Sequence, residues 1–213
     1  MYNPDQHREE RAEILQALIA RHPLGALIAN TPEGLSANHV PMSWQPRSGT
    51  PGVLRGHIAR ANRLWELLAP DAPVLVIFSG AEHYVTPSWY PDKRVHGKVV
   101  PTWNYAVVHA HGTIRFSDER EACLGRVTEL TGRQESSRAA PWHVSDAPAD
   151  FLESMLKRIV AFEIVLTRMV GKFKASQHRS QAERDAVRAA LAEEGVPDAD
   201  VGELVRPPAP PRP

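Results

Sequence analysis

Half of the chain's phenylalanine, tryptophan and tyrosine residues lie in residues 78–116, together with histidines and cationic side chains. The histidines and cations of this segment include His83, Lys93, Arg94, His96, Lys98, His109 and His111. A strand that only filled a core would carry more aliphatic side chains and fewer groups that need hydrogen-bond partners. Flat rings beside imidazole and ammonium groups suit a planar, polar-edged, anionic ligand. The same composition also fits two strands whose rings cover one end of a barrel, so composition alone leaves both interpretations open.

The predicted strand Thr102–Phe116 has two chemically different faces. Alternation places Trp103, Tyr105, Val107, His109 and His111 on one face, and Asn104, Ala106, Val108 and Ala110 on the other. The second set is small and apolar enough for a barrel interior. The first set favours a ligand wall or a subunit interface over a surface covered by inserted helices. Two histidines at this spacing without a third ligand are a weak metal signal, so no metal site is predicted.

A cationic turn within Val53–Leu68 is the second candidate site. A predicted strand at 53–60 leads through a turn into a short helix at residues 62–69. Along this stretch the chain has Arg55, His57, Arg60, Asn62 and Arg63. Backbone N–H groups at a helix start, with forked guanidinium donors beside them, can hold a phosphate group. An ordinary helix cap at Asn62 with solvated arginines would give the same pattern.

Two further polar stretches are candidates, one that interrupts a predicted strand and one that follows the last predicted strand. Asn38 and His39 could hydrogen-bond to acceptors on the edge of a bound heterocycle, or they could be barrel residues whose hydrogen bonds are satisfied within the protein. Late in the chain, residues 171–177 combine two lysines with Ser176 and Gln177. Neither a Ser-His-Asp nor a Cys-His grouping is legible, so no catalytic residue is predicted.

The elements that would position these residues are mostly strands. Short strand-like runs, several of them bounded by glycine at predicted turns, predict strands at 24–30, 35–44, 53–60, 74–79, 84–86, 102–116 and 158–169. Helices are predicted from Asn3-Pro4 to about residue 22, at 62–69, from Asp118 to about Gly132, at 148–156 and at 181–194. Strands with inserted helices, instead of alternating strands and helices, favour an antiparallel barrel over a doubly wound sheet.

Composition limits the function classes. The 213 residues include 25 Lys+Arg and 25 Asp+Glu, a balance that disfavours a large nucleic-acid footprint. The one cysteine, Cys123, is expected to pack as a small apolar residue in a reducing compartment. Because the N-terminus lacks an apolar signal segment and no apolar run reaches membrane-spanning length, we expect a cytoplasmic protein.

In order along the chain, these pieces resemble the PaiB-type family of FMN-binding proteins, often labelled negative transcriptional regulators. The resemblance covers Met1 to about Arg184. It is carried by Met1-Tyr2-x-Pro4, Gly56-His57-x-Ala59 with Asn62, Ser88-Trp89-Tyr90, the run from His96 to Tyr105 with His109, and Lys172-x-Lys174-x-Ser176-Gln177. The chain departs from the family pattern at Ala175 and His178.

The resemblance implies a mainly β (α+β) fold, an antiparallel split β-barrel of about six to seven strands with flanking and inserted helices. It also implies a homodimer with FMN at the subunit interface. His57, Ala59, Arg60 and Asn62 would hold the FMN phosphate, and Asn38 and His39 would approach the ring. Lys98, Trp103 and Asn104 would line the site, in part from the partner chain, with Lys172, Ser176 and Gln177 closing it. The expected division is an FMN-binding domain at 1–178, a charged helix at 179–196 and a disordered proline-rich tail at 197–213.

Three functions are compatible with this family. The first is flavin-dependent redox chemistry, or flavin sensing, with an unidentified small molecule. The second is transcriptional regulation, although the sequence contains no convincing helix-turn-helix and its basic residues are scattered. The third is a split barrel that binds or degrades haem, since a histidine-rich face can ligate iron.

Overall fold

A computed structural model describes residues 1–207 of the chain. The strands within this range are β1 Arg8–Glu9, β2 Leu24–Thr31, β3 Gly34–Gln45, β4 Val53–Ala59, β5 Ala72–Val85, β6 Thr102–Ser117 and β7 Ile159–Lys174. The α-helices are α1 Ala12–Arg21, α2 Leu64–Leu67, α3 Arg120–Glu135, α4 Ala149–Leu156, α5 Gln181–Glu193 and α6 Asp198–Leu204. None of the helices in residues 1–207 has both the length and the apolar character needed to cross a membrane.

The strands form one sheet in the order β1-β7-β4-β3-β2-β5-β6. Strand β7 also pairs with β6, so the strands from β7 to β6 in this order form a ring. The pairs β1–β7, β2–β3, β2–β5, β3–β4 and β4–β7 are antiparallel. This arrangement confirms the predicted antiparallel barrel of about six to seven strands with flanking helices.

The chain divides into two compact units. Unit 1 comprises Met1–Leu18, Ser79–Val108 and Val170 onward, and unit 2 comprises Ile19–Phe78 and His109–Met169. The expected division at residues 178 and 196 remains a prediction. It describes consecutive segments, whereas each of these units is assembled from separate parts of the chain.

Unit 2 has its core between the sheet and the helices α3 and α4. Alternation along β4 buries Val53, Leu54, Gly56 and Ile58, while Arg55, His57 and Ala59 stay partly or fully exposed. Helix α3 packs on β3 and β4. Cys123 is buried with Leu156 and Ala161, the packing role expected for this cysteine.

Unit 1 has its core around α5 and α6. Helix α5 starts at a capping box formed by Ser180 and Glu183. The core cluster consists of Val85, Tyr90, Val187, Leu191, Val201, Leu204 and Val205. Helix α6 therefore lies within the segment 197–213 that was expected to be disordered, and residues 208–213 of that segment lie outside the described part of the chain.

The N-terminus differs from the predicted helix at Asn3-Pro4. A single 3₁₀ turn at Asp5–His7 leads into β1, whose residues pair with Lys172 and Gly171 of β7. The Glu9 carboxylate then accepts hydrogen bonds from the backbone N–H groups of Glu10 and Arg11, just before α1 begins. The prediction of a helix start at Asn3 was wrong because this long-range strand pairing moves the start to Ala12.

The two strands predicted at 74–79 and 84–86 are one strand, β5, and Gly80 lies inside it and not in a turn. A Cβ atom at Gly80 would collide with the Glu203 carboxylate and lie 3.0 Å from a methyl group of Leu18. Gly80 is therefore needed for close packing within unit 1.

Candidate functional site

In unit 2, His57 is the predicted site residue with an unsatisfied polar atom. It lies on the partly exposed face of β4 with Arg55 and Ala59. Its Nδ1 atom is buried and has no hydrogen-bond partner among residues 1–207, although buried polar atoms are almost always paired. Burial lowers the pKa of His57 below its ordinary value of 6.5. A neutral imidazole with a free ring nitrogen can hydrogen-bond a bound group here.

Asn62, in the turn between β4 and α2, is hydrogen-bonded to Asn38 of β3. The Asn62 side-chain carbonyl accepts a hydrogen bond from the N–H of Leu64, the first residue of α2, at 3.1 Å, although the N-cap residue of α2 is Arg63. Its amide nitrogen donates to Asn38 Oδ1 at 2.7 Å, and Asn38 Nδ2 donates to Ser36 Oγ at 3.1 Å. The structure thus joins two predicted site residues that are 24 positions apart and fixes the orientation of both amides.

His39 and Arg60 are placed differently from these residues. His39 is exposed, and its side chain points to the opposite face of β3 from its neighbour Asn38. The Arg60 guanidinium donates to the Lys157 carbonyl at 2.9 Å and to Asp118 Oδ2 at 3.2 Å, and it lies 5.6 Å from the centre of the Trp65 ring. Phosphate contacts by Arg60 therefore stay a prediction.

In unit 1, three predicted site residues are buried and joined by hydrogen bonds. Asn104 Nδ2 donates to Ser176 Oγ at 2.8 Å and to the Leu204 carbonyl at 2.9 Å. Ser176 has a φ of 58°, a left-handed conformation that is uncommon for residues other than glycine. Gln177 accepts from Ala175 N–H at 2.9 Å and donates to the Phe173 carbonyl.

The other three predicted residues of unit 1 have more exposed surroundings. Lys172 Nζ lies 5.5 Å from the centre of the Tyr2 ring and 5.4 Å from that of Tyr105. The Trp103 side chain is 53% exposed and meets Tyr84 edge to face at 6.0 Å. Lys98 lies in the exposed loop after residue 93, where its backbone N–H donates to His96 Nδ1 at 3.0 Å. Together these side chains form a cationic and aromatic surface.

Two further residues of unit 1 were not among the predicted site residues, although Lys174 belongs to the Lys172-x-Lys174 motif. Lys174 donates to Thr102 Oγ1 and to the Trp103 carbonyl at 2.8 Å, and burial lowers its pKa. His7 is 6% exposed and its Nδ1 atom has no partner. The sequence pattern assigned His7 to a helix, so nothing in the sequence indicated that this ring would be buried.

The burial pattern along β6 agrees with the predicted alternation of its two faces. Asn104, Ala106 and Val108 are buried, whereas Tyr105 and Val107 are partly exposed and Trp103 is exposed. In unit 2, His109 and His111 continue the partly exposed face. His111 Nε2 lies 3.1 Å from Arg168 Nη2, and a guanidinium at that distance disfavours a metal cation on the same nitrogen.

Comparison with known proteins identifies relatives across most of the chain. An uncharacterized protein of Emericella nidulans is 38% identical over 222 residues, which cover 88% of this chain and 88% of that protein. The protease synthase and sporulation protein PAI 2 of Bacillus subtilis is 28% identical over 199 residues, covering 93% of each chain.

Two solved structures share the fold. The FAD and heme binding protein from Mycobacterium smegmatis superposes with a TM-score of 0.58 at 18% identity, covering 79% of this chain and 73% of that one. The flavocytochrome Anf3 from Azotobacter vinelandii gives a TM-score of 0.55 at 13% identity, covering 80% and 70%. These likenesses confirm the predicted split-barrel fold.

The family described as "Putative FMN-binding domain" matches residues 1–168. This match includes the turn at His57 and Asn62 and the aromatic segment of β6, and it ends within β7. The predicted family and the predicted cofactor, FMN, are both confirmed by this match, and the chain belongs to the family of FMN-binding domains.

Proposed function

We propose that this protein is a homodimeric FMN flavoprotein whose flavin exchanges electrons with a small molecule. Bound FMN would supply the redox chemistry, while the protein would supply binding, orientation and electrostatic tuning of the ring. The observation that carries this proposal is the buried, unpartnered Nδ1 atom of His57, at the turn where the family match and the cationic residues coincide.

In the proposed complex, unit 2 holds the phosphate end of FMN. The neutral His57 ring donates a hydrogen bond from its Nδ1–H to a phosphate oxygen. Asn62 keeps the backbone of the turn in place through its bonds to Leu64 and Asn38. Ala59 ends β4 as an exposed residue, and its methyl side chain would not obstruct a ligand at the turn.

A partner chain would supply the flat surface for the flavin ring. Trp103 and Lys98 of unit 1 are exposed, and an indole face can stack on an isoalloxazine. In this proposal Asn104, Ser176 and Gln177 act mainly through the backbone that they hold, because their described hydrogen bonds use groups of unit 1 itself.

The proposal is tested by an absorption spectrum of the purified protein, followed by chromatography of the released chromophore. We expect oxidised-flavin bands that yield FMN. His57→Phe keeps a ring of similar size but removes both nitrogens, so flavin occupancy should fall by about tenfold or more, as for loss of a hydrogen bond to a charged group. Asn30→Ala, which removes an exposed amide from β2, is the control. Equal occupancy in His57→Phe and wild type would remove the phosphate assignment.

Two other functions lead to different measurements. A haem-binding protein would show a Soret band, but Arg168 beside His111 makes the histidine pair of β6 a poor iron site. A direct transcriptional regulator would bind promoter DNA with an affinity that falls steeply with salt. Redox chemistry is the better-supported proposal, because the chain's 25 basic and 25 acidic side chains leave no net positive charge.

A further inference from the structure

Unit 1 contains a cavity of about 290 Å³ that is separate from the residues predicted to hold FMN, except for Gln177. The N-terminal segment, the end of β7 and the C-terminal end of α6 surround it. Its walls include the buried polar side chains of His7, Glu9 and Gln177, which are 6%, 7% and 8% exposed. A volume of this size is at the lower end of the range for small-molecule pockets.

The side chains of Glu9 and Gln177 already form hydrogen bonds within unit 1. Glu9 Oε1 accepts from two backbone N–H groups and from Arg11 Nε, and its Oε2 accepts from Arg11 Nη2 at 2.6 Å. The Gln177 side chain bonds to Ala175 N–H and to the Phe173 carbonyl. The Glu9 carboxylate is therefore fully engaged, whereas Gln177 uses one of its two amide N–H donors.

His7 has an unused donor. Gln6 Nε2 lies 3.2 Å from His7 Nε2, and because an amide nitrogen can only donate, this ring nitrogen is the acceptor. In a neutral imidazole the proton is then on Nδ1, a buried atom that meets no acceptor with hydrogen-bond geometry within residues 1–207, although Gln177 lies near enough to the ring to raise its pKa. Burial lowers the pKa of His7, which keeps the ring neutral at pH 7. The cavity wall therefore contains an unsatisfied N–H donor.

Arg206 has spare donors next to the same cavity. Its guanidinium lies 3.8 Å above the Phe173 ring, and its backbone N–H donates to the Ala175 carbonyl at 3.0 Å. Its side-chain bonds are long: Nε is 3.4 Å from the Gly202 carbonyl, and Nη1 is 3.4 Å from Glu9 Oε2. A guanidinium has five N–H donors, so this fixed group can still bind an acceptor strongly.

The cavity lining has more cations than anions. Arg8, Arg11 and Arg206 line it together with one carboxylate, that of Glu9. Ile14, Phe173 and Val205 add apolar wall. Arg8 and Arg11 are paired with carboxylates at 3.2 and 2.6 Å, so Arg206 is the cation with the weakest pairing. Free N–H donors beside an apolar wall are features that recognise an organic acid, whose carboxylate accepts hydrogen bonds while its hydrocarbon part leaves water.

We propose that this cavity binds a small organic carboxylate, with Arg206 and the Nδ1–H of His7 donating to the carboxylate oxygens. The apolar part of the acid lies against Ile14 and Phe173. This binding is independent of the flavin, because neither Arg206 nor His7 belongs to the proposed FMN contacts.

Benzoate and benzamide are suitable probes, since they have nearly the same shape and differ in charge. We expect benzoate to bind in a calorimetric titration of the full-length protein as isolated and to shift the ring nitrogen resonances of His7. Benzamide should bind at least about tenfold more weakly, because it cannot form charge-assisted hydrogen bonds with Arg206. Equal affinities for the acid and the amide would overturn the proposal.

Variants test the two assigned residues. Arg206→Met keeps an apolar stem over Phe173 but removes the donors, and it should weaken benzoate binding by about tenfold or more. Arg138→Met, at an exposed arginine of unit 2 paired with Glu135, is the matched control. If Arg206→Met does not fold, His7→Phe provides the second test. Benzoate binding that is unchanged in either folded variant would refute the assignment, and flavin absorbance recorded on the same samples reports FMN occupancy separately.

Discussion

At the scale of single residues, buried polar side chains in this protein serve two different purposes. Asn104 is 1% exposed and both its side-chain N–H bonds have partners, so it holds Ser176 and the end of α6 together. His7 and His57 each bury a ring nitrogen without a partner. Because an unpaired buried polar atom costs stability, such atoms mark places where a ligand would complete the structure.

His7 makes the stability of the protein depend on pH. Its pKa lies below the ordinary 6.5, first because of burial; the Gln177 side chain raises it in part, and the nearby His178, Lys172 and Lys174 lower it further. Below pH 6.5 the unfolded chain therefore binds a proton that the folded chain binds less readily. The stabilisation that comes from the neutral ring is complete above pH 6.5 and is lost as the pH falls through the lower, folded-state pKa.

We expect the difference in free energy of unfolding between pH 7.5 and pH 5 to be smaller in His7→Phe than in wild type. Urea denaturation at the two pH values measures it. His96→Phe, at an exposed loop position, should leave the difference close to that of wild type. If both variants show the wild-type pH dependence, protonation of His7 has no part in acid destabilisation.

At the scale of elements, local sequence patterns predicted most of the architecture. The alternation along β6 was visible because side-chain direction in a strand has a period of two. The pairing of Arg8–Glu9 with β7 and the burial of Val201 and Leu204 in α6 depend on residues far away in the chain. No local pattern encodes such contacts, and for this reason the N-terminal helix and the disordered tail were predicted where the structure has a strand and a helix.

The candidate site was predictable to a similar extent. Residue types and spacing identified the turn at His57 and Asn62 because a strand, a cap and a short helix follow one another locally. The bonds from Asn62 to Asn38 and from Asn104 to Ser176 join residues 24 and 72 positions apart, so their geometry could not be read from the sequence. His7 was missed because a wrongly predicted helix hid its burial.

Two glycines of unit 2 should respond oppositely to replacement by alanine. A Cβ atom at Gly56, next to His57 in β4, would lie 2.6 Å from the Phe162 ring and 2.9 Å from the Pro41 carbonyl. A backbone oxygen cannot move aside cheaply, so Gly56→Ala should destabilise the protein by about 1–3 kcal/mol. Gly125 lies inside α3 with no atom within 4 Å of its Cβ position, so Gly125→Ala should stabilise the protein by up to about 1 kcal/mol.

Thermal or urea unfolding of the two alanine variants tests this pair. The sign of the effect decides the outcome, because both changes add the same methyl group. A Gly56→Ala variant as stable as wild type would show that β4 can move away from β3 and β7, and that the position of His57 is not fixed by this close packing.

At the scale of the whole molecule, the proposed homodimer would cover large apolar side chains that are exposed in the single chain. On unit 1 these include Tyr2, Tyr84, Val95, Val100 and Trp103, with exposures of 84%, 45%, 80%, 68% and 53%. Clusters of exposed aromatic and aliphatic side chains are uncommon on proteins that remain monomeric. Formally zero net charge also leaves no overall electrostatic repulsion to keep two copies apart.

If a second copy covers this surface, Trp103→Glu should convert a dimer into a monomer and reduce FMN occupancy at the same time. A buried, unpaired carboxylate at the centre of an interface costs several kcal/mol, enough to lower association by a factor on the order of a thousand. Light scattering during gel filtration gives the mass, and absorbance of the same peak gives the flavin content. Trp142→Glu changes a tryptophan of unit 2 that is 46% exposed and provides the matched control. A wild-type protein that carries flavin as a monomer would contradict the interface, whereas a Trp103→Glu monomer that keeps its flavin would separate FMN binding from association.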